Sequence, residues 1–101
     1  MRKQRFYEHQ GVLLTVDLEG ERVFAHGAGE MGVVNGKPGV PRDTFAFIVD
    51  LPTQEAFLLE LMDGEGNTIG LADIKAEEVR PESPDRWKTA VASESAHDLR
   101  S

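Results

Sequence analysis

Between Thr44 and Ile74 the chain reads TFAFIVDLPTQEAFLLELMDGEGNTIGLADI, three apolar runs parted by two turn signals, and no other stretch constrains the fold as much. Side chains alternate across a strand. In Phe45 to Asp50, residues Phe45, Phe47 and Val49 therefore fall on one side and Ala46, Ile48 and Asp50 on the other, which predicts a half-buried strand. Pro52 fixes φ and has no amide to donate, so Leu51-Pro52-Thr53-Gln54 is a break. In AFLLELM, Phe57, Leu59 and Leu61 alternate with Leu58, Glu60 and Met62, a second strand. Asp63-Gly64-Glu65-Gly66-Asn67 then supplies residues that tolerate positive φ where the chain must reverse before Thr68 to Ile74. The expectation is a meander of three antiparallel strands.

A chain of 101 residues fits one domain, and at this size about two thirds of the unfolded surface can be buried, enough for one small core. With one Trp and one Tyr, that core must rest on the five Phe and the aliphatic residues. There are no cysteines, which excludes disulfides, thiolate metal sites and cysteine nucleophiles. No apolar run approaches the roughly 18 residues that span a bilayer, and the basic start MRKQRFYEHQ is followed by no signal-peptide core, because Val12 to Leu18 contains Thr15 and Asp17. These features predict a soluble, cytoplasmic chain with no membrane partner. A formal charge of −7 repels phosphate backbones at long range and argues against nucleic acid.

Taken in order, residues 1–10 form an N-terminal extension whose Arg2, Lys3 and Arg5 are a solvated basic start. Val12, Leu14, Val16 and Leu18 alternate against Leu13, Thr15 and Asp17 as one strand. Glu19-Gly20 then closes a hairpin onto a short strand in Glu21 to His26. Gly27 to Gly39 is glycine-rich, with Met31-Gly32-Val33-Val34 as a short strand between two loops. After the meander, Lys75-Ala76-Glu77-Glu78 is one helical turn and Val79-Arg80-Pro81 a closing strand. Ser83-Pro84-Asp85 has the form of an N-cap, a proline in the first turn and an acid, so residues 82–101 are expected to hold a short helix carrying Trp87 and Val91, then a disordered tail.

The run Ala56 to Pro81 resembles the C-terminal half of a family of short bacterial domains of unknown function, in which an acidic strand-turn-strand closes an SH3-like barrel. Glu60, Asp63, Gly66, Thr68, Ala76, Glu77, Val79 and Pro81 carry the likeness. GEMGVVNGK, Gly29 to Lys37, is similar to the turn and strand of KOW-type small barrels. The chain departs from the family by Pro38 to Arg42, by a further strand before the matching half and by a tail after Pro81. The resemblance implies a fold and no chemistry: an all-β, SH3-like barrel of five to six antiparallel strands over residues 11–81, with a short C-terminal helix or disordered tail.

Gly27-Ala28-Gly29-Glu30-Met31-Gly32 is a literal GxGxxG, but Val33 to Pro41 cannot form the helix whose N-terminus would receive a pyrophosphate, so a loop is expected. Asp63 opens a run like a calcium loop, yet its sixth position is Thr68, its twelfth is Ile74, and no helices flank it. His9, His26 and His97 lack any metal-ligand spacing. Glu60 lies opposite Phe57, Leu59 and Leu61 and so faces solvent, where nothing tunes a carboxylate for acid-base work. No Ser sits in a nucleophile elbow and no Lys in a phosphate loop.

The expected function is thus a non-catalytic interaction or accessory module, without cofactor or metal, acting as monomer or homodimer on an unidentified protein partner. Its candidate surface is the glycine-rich loop with Gly29, Met31 and Lys37 beside the Pro52 turn, and Trp87 is a second anchor. The first alternative is a KOW-like nucleic-acid binder using Arg2, Lys3, Arg5, Lys37 and Arg42, and the second is a small enzyme or metal protein.

Overall fold

The computed structural model describes residues 5–82. Trp87, Val91, His97, Arg2 and Lys3, with the expected C-terminal helix and tail, lie outside the described residues. The fold is all-β, with eight strands among the described residues and two single 3-10 turns. The strands are β1 (Gly11–Leu14), β2 (Leu18–Glu19), β3 (Gly32–Val34), β4 (Lys37–Val40), β5 (Phe45–Asp50), β6 (Ala56–Met62), β7 (Thr68–Lys75) and β8 (Val79–Pro81). They form a five-stranded sheet, β7-β6-β5-β1-β8, and a three-stranded sheet, β2-β4-β3, every pairing antiparallel. The two sheets do not join into a closed barrel.

The meander β5-β6-β7 is where the alternation placed it, and Glu60 decides its faces. A charged side chain on β6 must face out, which sends Phe57, Leu59 and Leu61 into the core, and all three are buried. Phe47 is paired with Glu60, Ala46 with Leu61 and Ile48 with Leu59. The inward face of β5 is therefore Ala46 and Ile48, while both phenylalanines of that strand point outward. A bulge at Val49 shifts the register so that Asp50 pairs with Leu58, and a second bulge leaves Ile69 unmatched between Gly70 and Thr68. The Asp63 turn closes as expected: its carboxylate accepts from the Glu65 and Asn67 amides at 2.9 Å each, and Gly66 takes φ 86°. The closing strand β8 pairs with β1, Val12 lying opposite Pro81.

Four expectations upstream are corrected. Val12 to Leu18 is not one strand. The chain turns a corner at Thr15, whose amide donates to Glu78 O and whose hydroxyl donates to Glu77 O, and β2 then enters the other sheet. Val16, in the same alternating set as the buried Val12, Leu14 and Leu18, is exposed as a result. Glu19-Gly20 starts a 3-10 turn, Gly20–Arg22, in place of a hairpin, and the expected strand from Glu21 to His26 is reduced to a single bridge between Phe24 and Leu71. The Val33-Val34 strand is present, but the loop expected after it is β4, joined by Asn35-Gly36 with φ 53° and 78°, a turn whose twist suits a hairpin. The extension at 1–10 is docked over its described part. Phe6 is 1% exposed with its ring 4.9 Å from that of Phe57, and the Gln54 side chain accepts from the Arg5 and Phe6 amides and donates to Phe6 O.

The 3-10 turns are tied to each other. Arg22 grips Glu78 with both nitrogens, at 2.5 and 2.8 Å, and donates to Asp73 O, while Glu78 also accepts from the Lys75 amide. The guanidinium, with the Lys75 amide, holds the Glu78 carboxyl below its ordinary value of 4.5. Its stabilising contribution is fully present above that ordinary value and is lost as pH falls through the lower folded value. Arg22 is more than one third exposed, so water screens the pair and Glu78→Gln should cost about 1 kcal/mol at neutral pH. Urea titrations of both proteins across pH should show the gap closing in acid below pH 4.5; a constant gap would refute this account.

Candidate functional site

Among the described residues, those singled out in the sequence do not line one groove. Met31 and Lys37 line an open groove of about 600 Å³ between the 3-10 turn and the β3-β4 hairpin, together with Glu19, Glu21 and His26. Gly29 lies elsewhere. Its amide donates to Thr68 O at 2.8 Å, and that of Gly27 to Ile69 O at 3.0 Å, so this part of the loop is spent covering the edge of β7. Pro52 is exposed in the β5-β6 connection and lines neither this groove nor the one described below. Of the cations named for nucleic-acid binding, Arg5 lies against the Phe6 ring at 5.1 Å and Arg42 is 3.8 Å from Asp17. Lys37 shares its groove with Glu19 and Glu21.

The GxGxxG run leads into strand β3, and no helix N-terminus follows it. The carboxylate of Asp63 is held below its ordinary value by the amides of Asn67, Glu65 and Glu30, and so serves its own turn and the neighbouring loop. Glu60 accepts a hydrogen bond from the Thr68 hydroxyl. Among the described residues no three His, Asp or Glu side chains converge as a metal-ligand set, and no helix is long and apolar enough to cross a membrane.

A surface that the sequence reading missed stands on the outer face of the five-stranded sheet. The pairing register puts Leu13 beside Phe45, and Glu60 between Phe47 and Leu71, all on the face away from the core. The Phe45 and Phe47 rings meet edge to face at 4.8 Å, and Phe47 stays 37% exposed. Phe45 also leans over Gly11, where a Cβ would lie 2.8 Å from its ring, with the Glu82 carboxylate closing on the same spot. An antiparallel sheet with one solvated face ordinarily carries polar residues there, so an aromatic pair flanked by leucines is out of pattern. The signal was available: in FAFIV both alternating sets are apolar, and one of them had to face outward in a sheet covered on one side.

Charge surrounds this face. Asp50 and Asp73 flank Leu58 through their pairings, and at the opposite end lies a groove of about 420 Å³ floored by Leu13, Phe45 and Met62. Its rim holds Glu30, Asp43, Asp63 and Glu82, and among the described residues no Lys, Arg or His lines it. Arg80, paired opposite Leu13, lies 4.0 Å from Asp43. No family model, curated protein or solved structure matches the chain.

Proposed function

We propose that this chain is a non-catalytic protein-interaction module, an SH3-like small β-domain that takes a partner segment on the outer face of its five-stranded sheet. The observation that carries the reading is the Phe45-Phe47 pair, Phe47 exposed and Phe45 half-buried, on the side of the sheet that should be polar. Aromatic anchors surrounded by weaker contacts are the usual centre of a protein interface. The acids around them, among them Asp50 and Asp73, favour a partner that is basic as well as apolar, since an acidic surround repels acidic surfaces and raises the encounter rate with cationic ones. A cytoplasmic role as an accessory subunit accords with this chemistry. A catalytic role gains no support, because the carboxylates with lowered proton affinity, Asp63 and Glu78, are engaged by turn amides and a guanidinium.

The test is co-purification of the tagged chain from its own cells at low salt, beside Phe47→Asp. Phe47 contributes nothing to the buried core, so the variant should keep its circular dichroism and change stability by less than about 1 kcal/mol. Loss of a stoichiometric protein partner in the variant alone supports the proposal. Retention of the partner, or recovery of nucleic acid that salt releases, overturns it.

A further inference from the structure

Four strands border the two sheets, and among the described residues three of them are closed to a further strand. The outer edge of β7 is covered by the chain from Phe24 to Gly29, whose amides bond to Leu71, Ile69 and Thr68. β8 ends in Pro81, which has no N–H, and the Val79 N–H donates to Ala76 O. β2 is two residues long and passes straight into the 3-10 turn Gly20–Arg22. β3, Gly32–Val34, has no charge, no proline and, among the described residues, no strand beyond it. Its hairpin fixes which backbone groups are left over. A two-residue turn makes Val34 and Lys37 a hydrogen-bonded pair, so Val33 and Pro38 form the next, non-bonded pair, where a proline removes no ladder bond. The Val33 N–H and C=O therefore point away from β4, and the residue is 69% exposed.

We propose that two copies of the chain pair antiparallel along β3, about a two-fold axis near Val33, and so join their three-stranded sheets edge to edge. The inference uses the border of the smaller sheet and is independent of the outer-face reading. A second copy is the occupant that the edge itself specifies. Its β3 arrives already extended by its own β4, with no ordering cost, and backbone bonding at an edge asks for little else. The ends of the edge carry opposite charges, Glu30 before β3 and Lys37 after its turn. Antiparallel self-pairing sets each glutamate toward the lysine of the other copy, whereas a parallel pair would set like beside like. Glu19 and Glu21 share the groove of Lys37, so this attraction fixes orientation and adds little affinity. Pairing through so short an edge buries far less than the roughly 1,000 Å² of a stable interface, so the dimer is weak and forms at about 0.1 mM and above. A dimer carries two Phe45-Phe47 faces, which gives avidity for a partner that repeats.

Sedimentation velocity on the full chain, over roughly two decades of concentration up to about 1 mM, should show reversible dimers at the upper end. Over the same range the Val33 amide should exchange with deuterium several-fold more slowly as concentration rises, while the Leu71 amide, bonded to Phe24 O, changes far less. Two variants test the edge. Val33→Pro removes the outward N–H and no bond of the β3-β4 hairpin. Val33→Lys sets like charges against each other across the two-fold axis while moving the net charge of −7 toward neutrality, so general repulsion between copies falls. Both should keep the circular dichroism of the wild type and shift dimer formation about tenfold or more upward in concentration. A wild type that stays monomeric throughout the range overturns the proposal. Dimers that survive in Val33→Lys, or that Phe47→Asp abolishes, overturn it in favour of another surface. Dimers lost in the edge variants and kept in Phe47→Asp support it, whether or not a partner protein is recovered with the chain, so this inference and the proposed function stand or fall separately.

Discussion

Leu59→Ala should lower the unfolding free energy by about 3 kcal/mol, while Leu58→Ala, one residue away on the same strand, should cost about 1 kcal/mol or less. Leu59 is fully buried at the middle of β6, paired with Ile48 on one side and Ala72 on the other, both also fully buried. Removing its isobutyl group loses transfer free energy and leaves a cavity that the flanking strands cannot fill without breaking register. Leu58 sits on the opposite face, half-buried between Asp50 and Asp73, and its truncation opens no cavity. A domain of this size holds roughly 5 to 10 kcal/mol in total, so the first substitution removes a large share of it and the second is tolerated. Urea unfolding would show the midpoint of Leu59→Ala falling well below that of Leu58→Ala at unchanged slope. Equal losses would mean that β6 presents its faces differently, and the outward-facing Phe45-Phe47 pair would go with them.

That contrast marks how far the fold could be read from the sequence. Where one charged residue broke the tie, as Glu60 does in LLELM, the strand, its faces and its neighbours followed, and the Asp63 turn and the 3-10 turn Ala76–Glu78 came with them. Where the pattern was right but its geometric meaning was not local, the reading failed. The alternation from Val12 to Leu18 continues through a corner, because a strand that changes sheets keeps its in-out rhythm, and only the Thr15 contacts to Glu77 and Glu78 reveal the bend. Pro38 and Gly39 hid β4 as poor strand formers, although Gly39 is there because a Cβ would come 2.6 Å from Leu18 O. Asn35-Gly36 was the better clue. Phe6 sits in a polar, basic stretch with no periodicity, and its place on Phe57 is fixed by Gln54, a contact between distant residues that no local pattern carries. The candidate site was missed for a related reason. Attention to glycines and to Trp87 picked residues that are unusual singly, whereas the outer face is built from ordinary ones that become unusual only when paired.

Gly27→Val should be the most damaging change outside the core, costing about 3 kcal/mol or more. A Cβ at this position would lie 2.4 Å from Thr68 O, a backbone atom that cannot swing aside, so the segment must lift away from β7. With it go the bonds from Gly27 N to Ile69 O and from Gly29 N to Thr68 O, and strain passes to the paired bonds between Phe24 and Leu71. Those contacts cover the outer edge of β7, which is the last strand of the five-stranded sheet and eight residues long. Baring it leaves a row of unpaired amides and carbonyls that another chain can join, so the variant should be concentration-dependent in size as well as weaker. Hydrogen exchange gives the sharper reading. The Leu71 amide, bonded to Phe24 O at 2.7 Å, should lose most of its protection, while the Ile48 amide in the sheet interior, bonded to Gln10 O, should exchange only as fast as the lowered global stability dictates. If both amides accelerated equally, the glycine segment would belong to the cooperative core and would not be a removable cover. If neither did, the close approach of Gly27 to Thr68 would have relaxed without cost, and the glycines of this loop would need another explanation.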